Sequence, residues 1–148
     1  MTAFSHIRPI DERELARVLA EAQASKTPLE VMGAGSKQAI GRPMQTSASV
    51  STRAMRGITL YEPTEMVMAA RTGTPLAQVE TALAERGQML AFEPIDYGPM
   101  LGGESGQSSI GGVFAANVSG ARRVALGAAR DHLLGIRAVN GRGTGRSR

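Results

Sequence analysis

The segment SSIGGVFAANVSG, residues 108–120, constrains the fold more than any other part of the sequence. It carries no charged side chain, and glycines and serines flank a small apolar centre, Val113 to Ala116. A core helix ordinarily presents larger side chains, and a surface loop is ordinarily more polar. We therefore expect a short helix whose first N–H groups are open to an anion and whose glycines allow close approach to the backbone. The alternative is a tightly packed helix of small residues.

A second glycine-rich segment, VMGAGSKQAIGR, follows a short apolar strand at residues 29–32. It is not a Walker A loop, since no Lys-Ser/Thr pair follows the second glycine, and Gly41 comes too late for a GxGxxG fingerprint. A Gly-x-Gly-Ser-Lys turn nevertheless exposes successive backbone N–H groups that suit phosphate oxygens, with Lys37 adding charge. Two such segments predict a clamp for one diphosphate, while an ordinary strand exit through glycine is the alternative for this one.

Composition excludes several kinds of chemistry. The 148 residues suffice for one domain, and with 42% hydrophobic residues the chain is globular. There is no cysteine, which excludes disulfides, thiolate metal sites and a cysteine nucleophile. The two histidines, His6 and His132, are far apart in sequence and match no metal-binding spacing. Asp131 beside His132 is either an acid–base pair or a boundary between two elements.

Charge and hydropathy bear on location and partners. The N-terminus lacks the apolar run of a signal peptide, and no stretch is long and apolar enough to cross a bilayer. We expect a cytoplasmic protein, or one held peripherally at a membrane by a partner. Seven arginines face the single acid Asp131 after Gly120, with no aromatic residue to stack on bases. This favours a solvated end and no nucleic-acid partner, with an anion- or nucleic-acid-binding end as the alternative.

Periodicity predicts a mixed α+β fold. A helix is expected over residues 9–25, capped by Asp11 with Glu14 three residues later, and a second helix follows Thr74 as its cap and ends at Gly87. Strands are expected at residues 29–32, 47–55, 57–63, 89–94 and 132–141, with a strand opening the 65–90 segment and a loop over 95–108. Asn140-Gly141 is a hairpin turn signal, and the last residues show no pattern. The predicted buried faces are Leu15, Val18, Leu19 and Ala22 on the first helix and Leu76, Val79, Leu83 and Ala84 on the second.

Three segments, in this order, resemble a known family. They are VMGAGSKQAIGR, EPTEMVMAARTGTPLAQVETALAERGQMLAFEP and SSIGGVFAANVSGARRVALGAARDHLLGIRAVNGRG. Together they resemble the FAD-binding domain of p-cresol methylhydroxylase and vanillyl-alcohol oxidase (PCMH/VAO) type flavoproteins, in particular the FAD-binding subunits of glycolate oxidases. The resemblance implies two small α/β subdomains in a partial domain, residues 1–143, whose C-terminal part is missing. Residues 144–148 would then be an unstructured tail outside the family pattern.

The resemblance also assigns binding roles. In this family FAD lies extended between the subdomains, with one glycine loop around the pyrophosphate and the later segment on its other side. The absence of a histidine in the first loop implies non-covalent FAD, since some relatives attach the cofactor through one. By resemblance the cofactor-binding residues are Gly33, Ala34, Gly35, Ser36, Lys37, Gly41, Arg42, Thr72, Gly73, Thr74, Leu76, Ser109, Gly111, Gly112, Ala115, Asn117, Ser119 and Gly120.

The implied function is that of an FAD-binding fragment of a 2-hydroxy-acid oxidoreductase acting on glycolate or D-lactate. The implied partners are other glycolate oxidase subunits, including an iron–sulfur subunit that passes electrons to the quinone pool. Catalysis by this chain alone is not expected, because the groups that take protons from a hydroxy acid are normally supplied elsewhere. The alternative is an assembly module that dimerises through open sheet edges and holds no cofactor.

Overall fold

The computed structural model describes residues 6–46 and 48–147. Within them short strands alternate irregularly with helices, and four short 3₁₀ helices link them, at Thr52–Ala54, Pro63–Glu65, Pro99–Leu101 and Ala129–His132. The predicted α+β class is confirmed. The strands and α-helices are β1 (His6–Ile7), α1 (Glu12–Ala24), β2 (Leu29–Met32), β3 (Ala48–Ser51), β4 (Ile58–Glu62), β5 (Val67–Ala70), α2 (Leu76–Ala84), α3 (Ile110–Ala116), α4 (Arg123–Leu126), β6 (Arg137–Val139) and β7 (Gly145–Ser147).

A three-stranded parallel sheet of order β1-β3-β2 brings the first glycine loop beside the segment that follows β3. Val50 lies at its centre and is fully buried. Because parallel strands end at the same edge of a sheet, the chain leaves β2 at Gly33 beside the point where it leaves β3. Ser51 joins the two exits, since its hydroxyl donates to the carbonyl oxygen of Gly33 at 2.8 Å.

Helix α1 forms where its cap predicts. The Asp11 carboxylate accepts from the backbone N–H of Glu14 at 2.8 Å. The Glu14 carboxylate reaches back to the N–H of Ile10 at 2.9 Å, one residue before the cap. The first bond satisfies an N–H group that the helix itself leaves unpaired, and the second holds the residue before the cap, so the pair resembles a capping box shifted by one residue. Val18 and Ala22 are buried as predicted, while Leu15 and Leu19 are half-buried.

The main core lies under the antiparallel pair β4-β5, between α2 and α3. Leu76, Val79 and Leu83 are buried as predicted, whereas Ala84 is exposed and the prediction for it is wrong. Ala84 lies four residues after the exposed Glu80 and therefore shares the exposed face of α2. The buried residues of this cluster are Leu76, Val79, Leu83, Phe92, Ile110, Val113, Val118 and Ala129.

The strand predicted over residues 89–94 is wrong. These residues form a turn and irregular coil, and Glu93 has a φ of 48°, which an extended strand does not allow. Phe92 instead inserts into the core, where it is 2% exposed and meets Phe114 edge-on with ring centroids 5.8 Å apart. The segment is apolar because Phe92 and Leu90 pack into the core from a turn, while Met89 is exposed.

The C-terminal residues form a hairpin of β6 and β7. The Asn140 side chain accepts from the N–H groups of Arg142 and Thr144, which shapes the predicted turn. The strand begins at Arg137, later than expected, and the prediction of an unstructured tail is wrong for residues 145–147 because they pair with β6. Arg137 also binds Glu12 of α1 at 2.7 Å, so the hairpin is docked on that helix. Arg148 lies outside the described residues.

Over the described ranges, 6–46 and 48–147, no helix has both the length and the apolar character needed to cross a bilayer.

We predict that Gly143→Ala destabilises the hairpin. Gly143 has a φ of +71°, and a Cβ there would collide with the carbonyl oxygen of Ala16 in α1. We expect a loss of roughly 1–3 kcal/mol in the free energy of unfolding, measured by urea denaturation. The matched control is Gly141→Ala in the same turn, where a Cβ meets nothing within 4 Å. Equal stability of the two variants would contradict the docking of the hairpin.

Candidate functional site

The two glycine-rich segments, far apart in sequence, are in contact. A Cβ at Gly33 would lie 2.5 Å from the hydroxyl oxygen of Ser109, and the hydroxyl oxygens of Ser36 and Ser108 are 3.3 Å apart. A Cβ at Gly112 would lie 3.8 Å from the ammonium nitrogen of Lys37. The structure therefore brings together the two segments that the sequence predicted to form one clamp.

The first segment offers free backbone donors. Its own hydrogen bonds are those of a turn, from the N–H of Gln38 to Gly35 O and from the N–H of Ile40 to Lys37 O. The five consecutive N–H groups of residues 33–37 have no acceptor among the residues that the structure describes. These residues are half-buried, so their donors sit in a partly shielded concavity. Successive unpaired N–H groups in a turn are the geometry that binds phosphate oxygens.

The start of α3 does not offer free donors, which corrects the sequence prediction. The N–H of Ile110 donates to Thr74 O and the N–H of Gly111 donates to Thr72 O, both at 2.9 Å. Ser109 caps the helix, and its hydroxyl accepts from the N–H of Gly112 at 3.3 Å. The helix start thus contributes a surface without side chains at Gly112 and the Ser109 hydroxyl, while its N–H groups are already paired.

The turn at residues 72–74 positions α3, because its carbonyl oxygens accept from the first N–H groups of that helix. Gly73 and Thr74 are buried, and a Cβ at Gly73 would collide with the carbonyl oxygen of Thr52. Thr74 does not cap α2, whose N-cap is Pro75 and which has no side-chain cap. Its hydroxyl accepts from the N–H of Gly57 at 2.9 Å and donates to Arg71 O at 2.6 Å, which ties this turn to the start of β4. Leu76, another predicted site residue, is part of the hydrophobic core and is 5% exposed.

The end of α3 has partners within the protein. Asn117 has a φ of 49° and ends the helix, and its side-chain oxygen accepts from the N–H of Arg130. The Ser119 hydroxyl accepts from the N–H of Ala129 at 2.8 Å. The N–H of Gly120 bonds to the carbonyls of Phe92 and Glu93, at 3.0 and 2.7 Å. These three predicted site residues hold the turn at Phe92 and the 3₁₀ helix at Ala129–His132, outside the contact between the two glycine segments.

The remaining predicted residues lie at the margins. Gly41 has a φ of +95° with nothing within 4 Å of its Cβ position, and Arg42 beside it is exposed. Ala115 is exposed on α3.

One ammonium and one carboxylate dominate the electrostatics of the contact. Lys37 is half-buried with its ammonium 6.0 Å from the centroid of the Tyr97 ring. Burial lowers its pKa, and nearby Asp96 partly opposes that change. The Asp96 carboxylate accepts from the N–H of Gly106 at 2.7 Å, and this bond is the main reason that the pKa of Asp96 is lowered. The Asp96 carboxylate is therefore close enough to Lys37 to favour the charged form of that lysine.

Sequence reasoning missed two cationic residues, Arg53 and Arg56. They line a cleft of about 60 Å³ together with Ala34 of the first glycine segment and Ser109 at the cap of α3. The Arg53 guanidinium donates to the side-chain oxygen of Gln107 at 2.9 Å. The sequence does contain an indication of their position. Both arginines follow β3, and the carboxyl end of β3 lies at the same sheet edge as the glycine loop.

The pair Asp131 and His132 marks a boundary between elements. The Asp131 carboxylate accepts from the N–H of Ala128, and the His132 ring contacts Leu126 O at 2.8 Å. The two side chains thus serve separate backbone groups at a 3₁₀ helix. No cluster of three or more His, Cys, Asp or Glu that could hold a metal ion occurs in the part of the chain that the structure describes.

We predict that Thr74→Val destabilises the fold by about 1–3 kcal/mol, because the half-buried N–H of Gly57 loses its acceptor while the volume of the buried side chain at residue 74 is nearly unchanged. Chemical denaturation measures the loss. Thr74→Ser is the control, since it keeps the hydroxyl. A valine variant as stable as the serine variant would mean that the hydroxyl is not what ties the turn to β4.

Comparisons with known proteins agree on one family. The family model described as the FAD binding domain matches residues 6–147. The chain is 42% identical over 123 residues to glycolate oxidase subunit GlcE of Escherichia coli K12, covering 83% of this chain and 33% of that protein. It is 27% identical to an uncharacterized FAD-linked oxidoreductase of Mycobacterium tuberculosis, over 89% of this chain and 27% of that one.

Solved structures share the fold. Phl p 4, a grass pollen allergen with glucose dehydrogenase activity, superposes with a TM-score of 0.76 at 17% identity, over 97% of this chain and 28% of that one. Alkyldihydroxyacetonephosphate synthase gives a TM-score of 0.71 at 22% identity, over 92% of this chain and 26% of that one. The chain spans about a third or less of the length of each of these proteins. It belongs to the FAD-binding domain family of the FAD-linked oxidoreductases, and FAD is its cofactor.

Proposed function

We propose that the glycine turn at residues 33–37 and the surface formed by Ser109 and Gly112 hold the diphosphate of FAD between them. The observation that carries this is the run of five consecutive backbone N–H groups in that turn with no acceptor among the described residues. A diphosphate presents several acceptor oxygens with full negative charge, which such a run can satisfy together.

The residues present fit that group. Gly33 and Gly112 lack side chains on either side of the contact, where Cβ atoms would approach Ser109 and Lys37. Lys37 adds a positive charge within the same concavity, and the hydroxyls of Ser36 and Ser109 are further polar groups there. The donor set is therefore one of N–H groups, hydroxyls and an ammonium, which matches a phosphate anion.

The chain's share of the chemistry is to bind and orient the cofactor. Bound FAD supplies the redox chemistry, by accepting a hydride equivalent from a substrate. Residues 33–37 and 109–112 determine where the diphosphate of the cofactor lies. The positions of the flavin and adenosine ends of FAD follow from that attachment. Attachment is non-covalent in this proposal, since residues 33–42 contain no histidine and the chain has no cysteine.

The substrate and partners are inferred from the GlcE relative. We propose that this chain is the FAD-binding part of a 2-hydroxy-acid oxidoreductase of the glycolate oxidase type, with glycolate or D-lactate as substrate. The 42% identity to a glycolate oxidase subunit supports this class. It also supports assembly with other subunits, and we propose an iron–sulfur subunit as the electron acceptor among them.

We predict that Gly112→Val abolishes FAD binding and leaves the helix content intact. A branched side chain at this position would fill the space between the Ser109 hydroxyl and the Lys37 ammonium, where the diphosphate must approach the backbone. Titration of the purified chain with FAD, followed by flavin fluorescence quenching, measures binding, and circular dichroism measures helix content. Gly141→Val is the matched control, because its Cβ position is open. Normal FAD binding by Gly112→Val would contradict the proposed site.

We predict that FAD affinity falls at alkaline pH through Lys37. Its folded pKa is below the ordinary value of 10.5, so the ammonium loses its proton, and with it the charge that attracts the diphosphate, before an exposed lysine would. Lys37→Arg stays charged over the same range. Dissociation constants for FAD from neutral pH to about pH 10 should rise for the wild type and stay flatter for Lys37→Arg. Both proteins meet the same titrating flavin, so parallel curves would rule out the role of Lys37.

A further inference from the structure

The arginines after β3 carry an inference that rests on the proposed function and extends it. Arg53 lies in the 3₁₀ helix Thr52–Ala54, and Arg56 follows two residues after its end. Both side chains are exposed and line the cleft whose other walls include Ala34 and Ser109. The cleft therefore opens onto both glycine segments at once.

Neither guanidinium is neutralised by a carboxylate. In the described ranges, 6–46 and 48–147, the ion pairs involve other arginines, and no carboxylate lies within 4.0 Å of Arg53 or Arg56. The partner of Arg53 is the neutral amide of Gln107, which orients the guanidinium without cancelling its charge. Two cations three residues apart on one short segment repel each other, and an anion in the cleft relieves that repulsion.

The cleft also adjoins the free donors of the first glycine segment. Ala34, one of its lining residues, belongs to the run of unpaired N–H groups at residues 33–37. Ser109 is the residue whose hydroxyl approaches Gly33. An anion held by the N–H groups of that turn would thus lie beside the cleft that Arg53 and Arg56 line.

We propose that Arg53 and Arg56 form a cationic wall of the FAD site and pair with the diphosphate of the cofactor. The wall makes affinity depend on the charge of the diphosphate, so the chain selects FAD, and nucleoside diphosphates such as ADP, over riboflavin, which has no phosphate. Guanidinium groups suit this role because they stay charged and form paired hydrogen bonds with phosphate oxygens.

The test compares Arg53→Gln and Arg56→Gln with Arg86→Gln, an exposed arginine near the end of α2. Dissociation constants for FAD, ADP and riboflavin are measured on the full chain by fluorescence and calorimetry, at low and high salt. We expect each of the first two variants to weaken FAD and ADP about three- to tenfold and to leave riboflavin unchanged. The dissociation constants of these two variants should depend less on salt than those of the wild type, because each variant has one positive charge fewer for salt to screen. Arg86→Gln should match the wild type.

The outcomes separate this inference from the proposed function. Wild-type affinity for FAD in both cleft variants would overturn the cationic wall and leave the diphosphate site in place. Arginine-dependent binding of ADP by a chain that does not bind FAD would support the wall and overturn the proposed function. Failure of the wild-type chain to bind either FAD or ADP would overturn both.

Discussion

The contact of Gly111 with the turn at Thr72 determines how the rest of the site is arranged. The N–H of Gly111 donates to Thr72 O, and a side chain on this glycine would collide with the Thr72 hydroxyl. The next bond, from the N–H of Ile110 to Thr74 O, continues the same alignment. Helix α3 is therefore seated on the turn, and Gly112, the adjacent residue, is directed toward Lys37.

Because α3 is bonded to this turn, the two glycine-rich segments differ in their free N–H groups, although they are alike in sequence. Both are rich in glycine and serine, but the N–H groups at the start of α3 are paired with the turn and with Ser109. Those of residues 33–37 have no acceptor within the described chain. In the proposed site, the first segment would supply the donors and the start of α3 would supply a surface without side chains. Lys37 brings one positive charge to this contact, and the nearby Asp96 carboxylate favours the charged form of that lysine.

Sequence patterns predicted the elements whose causes are local. The cap at Asp11, the apolar stripe of α2 and the short helix after Ser109 form where residues within a few positions of each other dictate them. Two of the predictions that were wrong involve partners distant in the chain. Phe92 looked like part of a strand but fills the core, and Thr74 looked like a helix cap but binds Gly57.

The candidate site shows the same limit. Sequence placed the two glycine segments together, and the structure confirms their contact. The sequence did not reveal that the first N–H groups of α3 donate to the carbonyl oxygens of Thr72 and Thr74, because no residue near Gly111 indicates that pairing. The resemblance assigns Asn117 and Ser119 to cofactor binding, and the structure adds that their side chains accept from the N–H groups of Arg130 and Ala129. Arg53 lies beside the glycine loop because β2 and β3 are parallel neighbours in the sheet, and that strand order depends on the whole fold.

Backbone amide hydrogen exchange with and without FAD tests the central claim most directly. We expect FAD to slow exchange at the N–H groups of residues 33–37, which have no acceptor in the described structure. We expect little change at Ile110 and Gly111, whose N–H groups are already bonded. Protection by FAD at residues elsewhere, with residues 33–37 still exchanging freely, would contradict the assignment of the diphosphate to this turn.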